Sequence, residues 1–194
     1  MARPSLKTER SEEILDAFTR CIARYGLDGS TLARISEEAG VGRPLLRHYL
    51  GNRDQMVERV LAHVMARFEQ STDAIFTSLP ATGRMQELLA ILFAGRQDSS
   101  ENAAVFQALV AASDRYVGIS DALMGWVSGF EAKIAVEVRH AYKCSDQAAA
   151  TTAAGISAIY FNTYAIMPLG PKSEWLARQR SAVDALLAMV ATDT

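Results

Sequence analysis

Cysteine is scarce: Cys21 and Cys144 are the only two in 194 residues. They lie far apart and show no CxxC spacing, which argues against a disulfide framework or a thiolate metal site. Cys21 falls on an apolar helical face and reads as a small buried hydrophobe, with a redox role as the lesser alternative. Long apolar runs are also missing. No stretch of about 18 apolar residues occurs, and the N-terminal MARPSLKTERSEE is polar, so the expectation is a cytoplasmic chain with no membrane span and reduced thiols. The three histidines, His48, His63 and His140, are widely separated and lack ligand spacing, so no metal site is expected. Gly40 and Gly42 are no phosphate loop, because no strand precedes them and no GK[ST] follows. In GWVSG, Ser128 is misplaced for a nucleophile elbow, and the adjacent pairs Glu12/Glu13 and Glu37/Glu38 belong to solvated helix faces. No catalytic constellation and no cofactor motif remain, so the expectation is a protein that is not an enzyme.

Charge of one sign is scarce as well. The net charge is −2, which by itself does not advertise a nucleic-acid partner. The distribution is slightly uneven: residues 1–55 sum to +1 and the remainder to −3. Hydrophobic residues at 49% and charged residues at 22% are the proportions of an ordinary globular chain.

What is present is helical periodicity. Ile14, Leu15, Phe18, Cys21, Ile22 and Tyr25 recur at the spacing of one apolar stripe, closed by Gly26. Thr31 is placed to cap a short second helix, LARISEEA, with Leu32, Ile35 and Ala39 inward, and Gly40 stops it. Pro44 suits the first turn of a third short helix ending at Gly51. Asn52 with Gln55 reads as the cap of a fourth, running to about residue 78. Further helices are expected at about 84–96, 101–114, 118–143, 146–166 and 173–191, broken by RQDSS, RYVG, KCSD and MPLGPKS. Strand alternation persists nowhere, so the fold class is all-α.

Helices two and three, joined by the tight AGVG turn, form a helix-turn-helix. The second member of this motif lies in the DNA major groove. At 100° per residue Leu46 and Leu50 share the core side, Pro44 and His48 point away, and Leu45 and Arg47 lie on the flanks. Arg43 can read a guanine edge or clasp a phosphate, Arg47 can do either from the flank, and Leu45 offers an apolar contact to a thymine methyl. Tyr49 and Arg53 lie near the start of helix four, where free backbone N–H groups favour phosphate. Arg3, Lys7 and Arg10 form a basic tail suited to nonspecific or minor-groove attraction.

Residues 11–57, ending in TLARISEEAGVGRPLLRHYLGNRDQMV, resemble the DNA-binding region of TetR-family regulators (TetR/AcrR type) without a gap. The match covers the rhythm of helix one, Gly26, Thr31, the ISEEAGV segment, and the cap and basic residue at Asn52 and Arg53. Three positions depart from the family pattern: Gly42 stands for Ser or Thr, Arg47 for Tyr, and Leu50 for Phe. With Ser30, Thr31 and Gly42 added, the candidate DNA-binding set is Ser30, Thr31, Gly42, Arg43, Pro44, Leu45, Arg47, His48, Tyr49 and Arg53. The resemblance implies a helix-turn-helix domain over residues 1–55, a linking helix at about 53–78, and an all-helical effector-binding and dimerisation domain over 56–194.

It further implies a homodimer through the last two helices, a palindromic double-stranded operator, and repression relieved by an unidentified small molecule, with activation and co-repression as the alternatives for the sign of control. Ala148 to Ala150, Ala153, Ala154, Gly155 and Ala158 permit close helix approach, while Trp175, Leu176, Val183, Leu186, Leu187 and Val190 supply an apolar stripe. Phe106, Met124, Trp126, Phe130, Tyr160, Asn162 and Tyr164 are the candidate effector-cavity residues, although aromatic residues at helical spacing also serve as plain core. Asn162 and Tyr164 stand out as polar groups in an apolar helix that need hydrogen-bond partners. The rival functions are an all-helical interaction protein and a low-specificity architectural DNA binder.

Overall fold

The computed structural model describes residues 6–94 and 97–192, with side chains described from 9 to 94 and from 101 to 191. Arg3 lies outside the described residues, as does the side chain of Lys7. The described chain is all-α: α1 (Leu6–Gly29), α2 (Leu32–Ala39), α3 (Arg43–Leu50), α4 (Arg53–Ser78), α5 (Arg84–Leu92), α6 (Gln97–Val110), α7 (Ile119–Tyr142), α8 (Asp146–Ile166), a 3-10 turn (Met167–Leu169) and α9 (Ser173–Thr192). The expected break at RQDSS is corrected, because residues 97–100 already belong to α6. Gln is a good helix former, Ser and Asp are tolerated, and at a helix start Asp is favoured by the dipole.

The chain divides into two compact units. The first comprises residues 1–68 and 104–123, the second residues 69–103 and 124–194. In the first, α1 packs on α2 and α3. Ile14, Phe18, Cys21 and Ile22 are buried as the stripe requires. Tyr25, assigned to the same stripe, is 46% exposed, and the Arg34 guanidinium sits 4.2 Å from its ring centroid, a cation–π pairing at the surface. Gly26 adopts φ 72, ψ 171, a conformation that excludes helix continuation and turns the chain into Leu27–Gly29. Cys21 is buried, and burial pushes its thiol pKa up, which keeps it protonated and unreactive.

The second unit is built around Met85, Leu88, Leu89, Leu92, Phe130, Ile134, Val138, Ile156, Val183 and Leu187. A part-buried polar fork joins two of its elements. Arg84 Nε and an Arg84 terminal nitrogen donate to the two carboxylate oxygens of Glu137 at 2.8 and 2.6 Å, with Glu137 buried. The same guanidinium reaches the carbonyls of Phe76 and Leu79, so it closes the bend between α4 and α5. Val183, Leu187 and Val190 of the expected apolar stripe are buried in this core. Gly155 allows α8 to approach α9 closely, since a Cβ there would meet a Leu186 methyl at 2.8 Å.

Candidate nucleic-acid interface

The geometry starts with two short helices and what stops each of them. Thr31, extended at φ −72, ψ 158, caps α2 by accepting from the Arg34 backbone N–H at 3.4 Å. Gly40 ends α2 in the left-handed conformation (φ 62, ψ 31). The backbone N–H groups of Gly40 and Val41 return to the Glu37 and Ser36 carbonyls, and the Ser36 hydroxyl donates to the Val41 carbonyl. These bonds tie the turn back to α2 and fix the direction in which α3 leaves. Glu38 ties α2 back to α1, accepting from Arg20 at 2.6 Å and Arg24 at 2.8 Å. The Arg20 hydrogen bond, with the Arg24 charge beside it, holds the Glu38 carboxyl below the usual carboxylate range.

α3 has one buried side. Leu46 and Leu50 are fully buried, while Gly42, Arg43, Pro44, Leu45, Arg47 and His48 are exposed and Tyr49 is half-buried. The 3.6-residue period therefore leaves an uninterrupted outward face of two arginines, a histidine and an apolar leucine. Gly42 occupies the cap position without a side-chain hydrogen bond, and Pro44 supplies the fixed φ of the first turn. The His48 and Tyr49 rings meet edge to face at 5.3 Å. Beyond Gly51 (φ 85), Asn52 and Gln55 exchange side chain and backbone N–H bonds, each at 3.0 Å, and form the expected capping box of α4. Arg59 then donates to the Tyr49 carbonyl at 3.1 Å.

Two of the ten candidate residues turn inward. Ser30 is fully buried, and its hydroxyl donates to the Gly26 carbonyl at 2.7 Å. Arg53 donates to the carbonyls of Ser30 (2.9 Å) and Leu27 (2.6 Å), with its guanidinium 5.5 Å from the Phe18 ring centroid. Its first duty is to hold the α1–α2 turn, because buried carbonyls need donors and a guanidinium supplies several from one plane. Arg10, from the expected basic tail, pairs with Glu13 at 2.6 Å. Sequence spacing missed Asp28, Arg115 and Tyr116, which meet in this unit: Asp28 accepts from Arg115 at 2.9 and 3.0 Å and from the Tyr116 hydroxyl at 2.9 Å. The only sequence signal was the RYVG break between α6 and α7.

The candidate cavity residues are dispersed. Trp126, Phe130, Tyr160 and Tyr164 do come together, joined by Phe161, which the sequence reading omitted. Trp126 stacks on Phe130 at 5.9 Å, Phe130 meets Tyr160 at 5.5 Å and Phe161 at 5.9 Å, and Tyr160 meets Tyr164 at 4.8 Å. Phe106 belongs to the first unit, and Met124 (58% exposed) and Asn162 face solvent. Asn162 is exposed, so its polar groups are not shut away in the core of this unit. Tyr164 has an internal partner, donating to the Leu92 carbonyl at 3.0 Å. Beside it lies a cavity of about 300 Å³ lined by Leu89, Phe93, Thr163, Tyr164, Leu176 and Arg180, among others. Burial, with Tyr164 nearby, pushes the Tyr160 phenol far above its usual range. Among the described residues no group of three or more acidic, histidine or cysteine side chains is arranged to hold a metal, and no helix is long and apolar enough to cross a membrane.

Comparison with known proteins finds likeness where this interface lies. The family model described as "Bacterial regulatory proteins, tetR family" matches residues 14–60. The HTH-type transcriptional regulator BetI of Vibrio vulnificus is 29% identical over 104 residues, which is 52% of this chain and 52% of that protein. The HTH-type transcriptional repressor AcnR of Corynebacterium jeikeium is 39% identical over 62 residues, 32% of this chain and 33% of that protein. The chain spans about half the length, or less, of these curated relatives in the matched stretches. Among solved structures, a transcriptional regulator from Rhodococcus sp. Rha1 superposes with a TM-score of 0.73 at 17% identity, covering 94% of this chain and 96% of that one. A tetR-family transcriptional regulator from Streptomyces coelicolor gives a TM-score of 0.68 at 16% identity, covering 96% and 83%. At such identities these structures establish a shared fold.

Proposed function

By its N-terminal module the chain belongs to the tetR family of bacterial regulatory proteins, and from that premise we propose that it is a DNA-binding transcriptional regulator that represses its target as a dimer. The outward face of α3 carries the proposal: Arg43, Leu45, Arg47 and His48 stand exposed on a helix whose opposite side is fully buried. Arg43, at the helix start, is the residue assigned to a guanine edge, where a bidentate guanidinium discriminates between bases. Arg47 and Tyr49 serve phosphate, and Thr31 approaches the backbone from the start of α2. Ser30 and Arg53 act by holding the turn rather than by touching DNA.

The domain division follows from this reading: residues 1–55 bind DNA, and residues 56–194 carry effector binding and dimerisation. The dimer is assigned to α8 and α9, where Ala150, Ala154, Ala158, Ala182, Ala185 and Met189 are exposed and let a two-fold mate approach closely. Such a dimer sets two recognition helices about 34–36 Å apart on a palindromic operator. The effector is a small, largely apolar molecule, a reading supported by the cavity of about 300 Å³ lined by Leu89, Phe93, Tyr164 and Leu176; Phe130 and Tyr160 pack nearby as core and do not line it. The release mechanism requires differential affinity of that molecule for two conformers.

Selection of random duplex DNA by the purified chain at two salt concentrations tests the proposal. Enrichment of a palindrome that survives the higher salt is the expected result, since specific contacts outlast counterion-driven ones. Equal retention of scrambled duplexes would leave an architectural binder, and retention of none would leave a protein-interaction role.

A further inference from the structure

The four residues Leu27–Ser30 between the Gly26 kink and the Thr31 cap are gripped from outside at every position. Arg53 donates to the Leu27 and Ser30 carbonyls, and Arg34 donates to the Gly29 carbonyl at 2.7 Å. Asp28 accepts from Arg115 and from the Tyr116 hydroxyl. Arg115 is itself oriented, donating to the Ala111 carbonyl at 2.8 Å and to Asp114 at 3.1 Å. These groups all lie in the first unit, yet Arg115 and Tyr116 come from the segment between α6 and α7, far beyond residues 14–60.

We infer that the Asp28–Arg115–Tyr116 clamp is a positioning element of the DNA-binding module, and that the segment between α6 and α7 sets operator affinity without touching DNA. Within the turn, Ser30 N–H returns to Leu27 at 3.3 Å, Thr31 N–H to Gly29 at 2.9 Å, and the Ser30 hydroxyl to the Gly26 carbonyl at 2.7 Å. Side chains from α2, α4 and the α6–α7 segment add a bond at each of its four positions, so its conformation responds to them. Thr31 follows immediately and fixes the first turn of α2, while Arg53 begins α4, which follows α3 directly. A turn free to change would displace both ends of the helix-turn-helix. A phosphate or base contact tolerates only small displacements before its hydrogen bonds fail. The clamp is also half-exposed, with Arg115 at 49% and Asp28 at 54%, and ion pairs of that exposure contribute little to global stability. The clamp thus has a local role separable from a folding role.

The inference rests on the reading of the chain as a sequence-specific DNA binder. The test uses the full chain and a duplex selected from random DNA, with a scrambled duplex as control. Asp28→Asn, Arg115→Ala and Tyr116→Phe are compared with the parent for affinity to both duplexes and for thermal unfolding without DNA. Arg115→Ala is expected to weaken binding of the selected duplex about fivefold, and the Asp28→Asn/Arg115→Ala double variant no further, because both changes break one interaction. The unfolding midpoint should move by about 3 °C or less. Binding of the scrambled duplex should be unchanged. The exchanged pair Asp28→Arg with Arg115→Asp should recover part of the loss, which a merely disrupted fold would not. Tyr116→Phe removes one hydrogen bond and keeps the ring, so it reports even if the charge variants fold poorly. If the parent binds no duplex above the scrambled control, the DNA-binding reading itself fails. If the parent discriminates and the variants match it, or lose both duplexes in step with stability, the positioning role is overturned.

Discussion

Arg53 and Arg43 show how differently two arginines of one motif can act. Arg43 is exposed at the first turn of α3, whereas Arg53 spends its donors on the Leu27 and Ser30 carbonyls. Replacing Arg43 with Ala should cost about 1–3 kcal/mol of binding on the selected duplex and relax the preference at one base pair, read by competition with duplexes altered at each position. Arg53→Ala should instead destabilise the fold by about 1–2 kcal/mol in denaturant titration, because two charge-assisted bonds to carbonyls disappear. It should weaken DNA binding while leaving the slope of log affinity against log salt in place; a slope reduced by about one would identify a direct phosphate contact. The identity of both residues was legible in the sequence. Their division of labour was not, since whether a guanidinium points in or out depends on carbonyls 23 and 26 positions away.

Among elements, the short helices depend on their stops. Gly40 takes φ 62 with open space where a Cβ would stand, so Gly40→Ala carries only a backbone cost. About 1–2 kcal/mol of stability should be lost in chemical denaturation, with DNA affinity falling because the exit direction of α3 changes. In the second unit the bend between α4 and α5 hangs on Arg84. Its removal leaves the Glu137 carboxylate buried without its partner, and Arg84→Ala should lower stability by about 3 kcal/mol, checked by the unfolding midpoint in urea. Helix starts and stops at Gly26, Thr31, Gly40, Asn52 and Asp146 followed from local chemistry. The run RQDSS did not, because Ser and Asp signal both loops and helix starts and nothing local chooses between them.

For the whole molecule, pH should act through groups whose environments differ between the folded and unfolded chain. Tyr160 has its phenol raised above the ordinary value of 10.0 by burial, so above that pH the unfolded chain releases a proton that the folded chain retains. Stability should therefore fall as pH rises beyond about 10, and Tyr160→Phe should flatten that limb in unfolding curves measured between pH 9 and 11. Glu38 acts in the opposite range: its lowered pKa means that the Arg20 and Arg24 ties help above the unfolded carboxylate value and are lost as pH falls through the folded one.

Apart from the break between α5 and α6, the sequence by itself determined the helices, their caps and the buried side of α3, because these follow from a 3.6-residue period and from residues within about four positions of one another. It also determined the family resemblance, since the helix-turn-helix is a contiguous local pattern. Tertiary structure alone decided that Ser30 and Arg53 face inward, that Asn162 meets solvent, that Val183 and Leu187 belong to the core, and that Asp28 meets Arg115 and Tyr116. Those are encounters between residues on different elements. A helical period says which residues share a face, while the packing of helices on one another decides what that face meets.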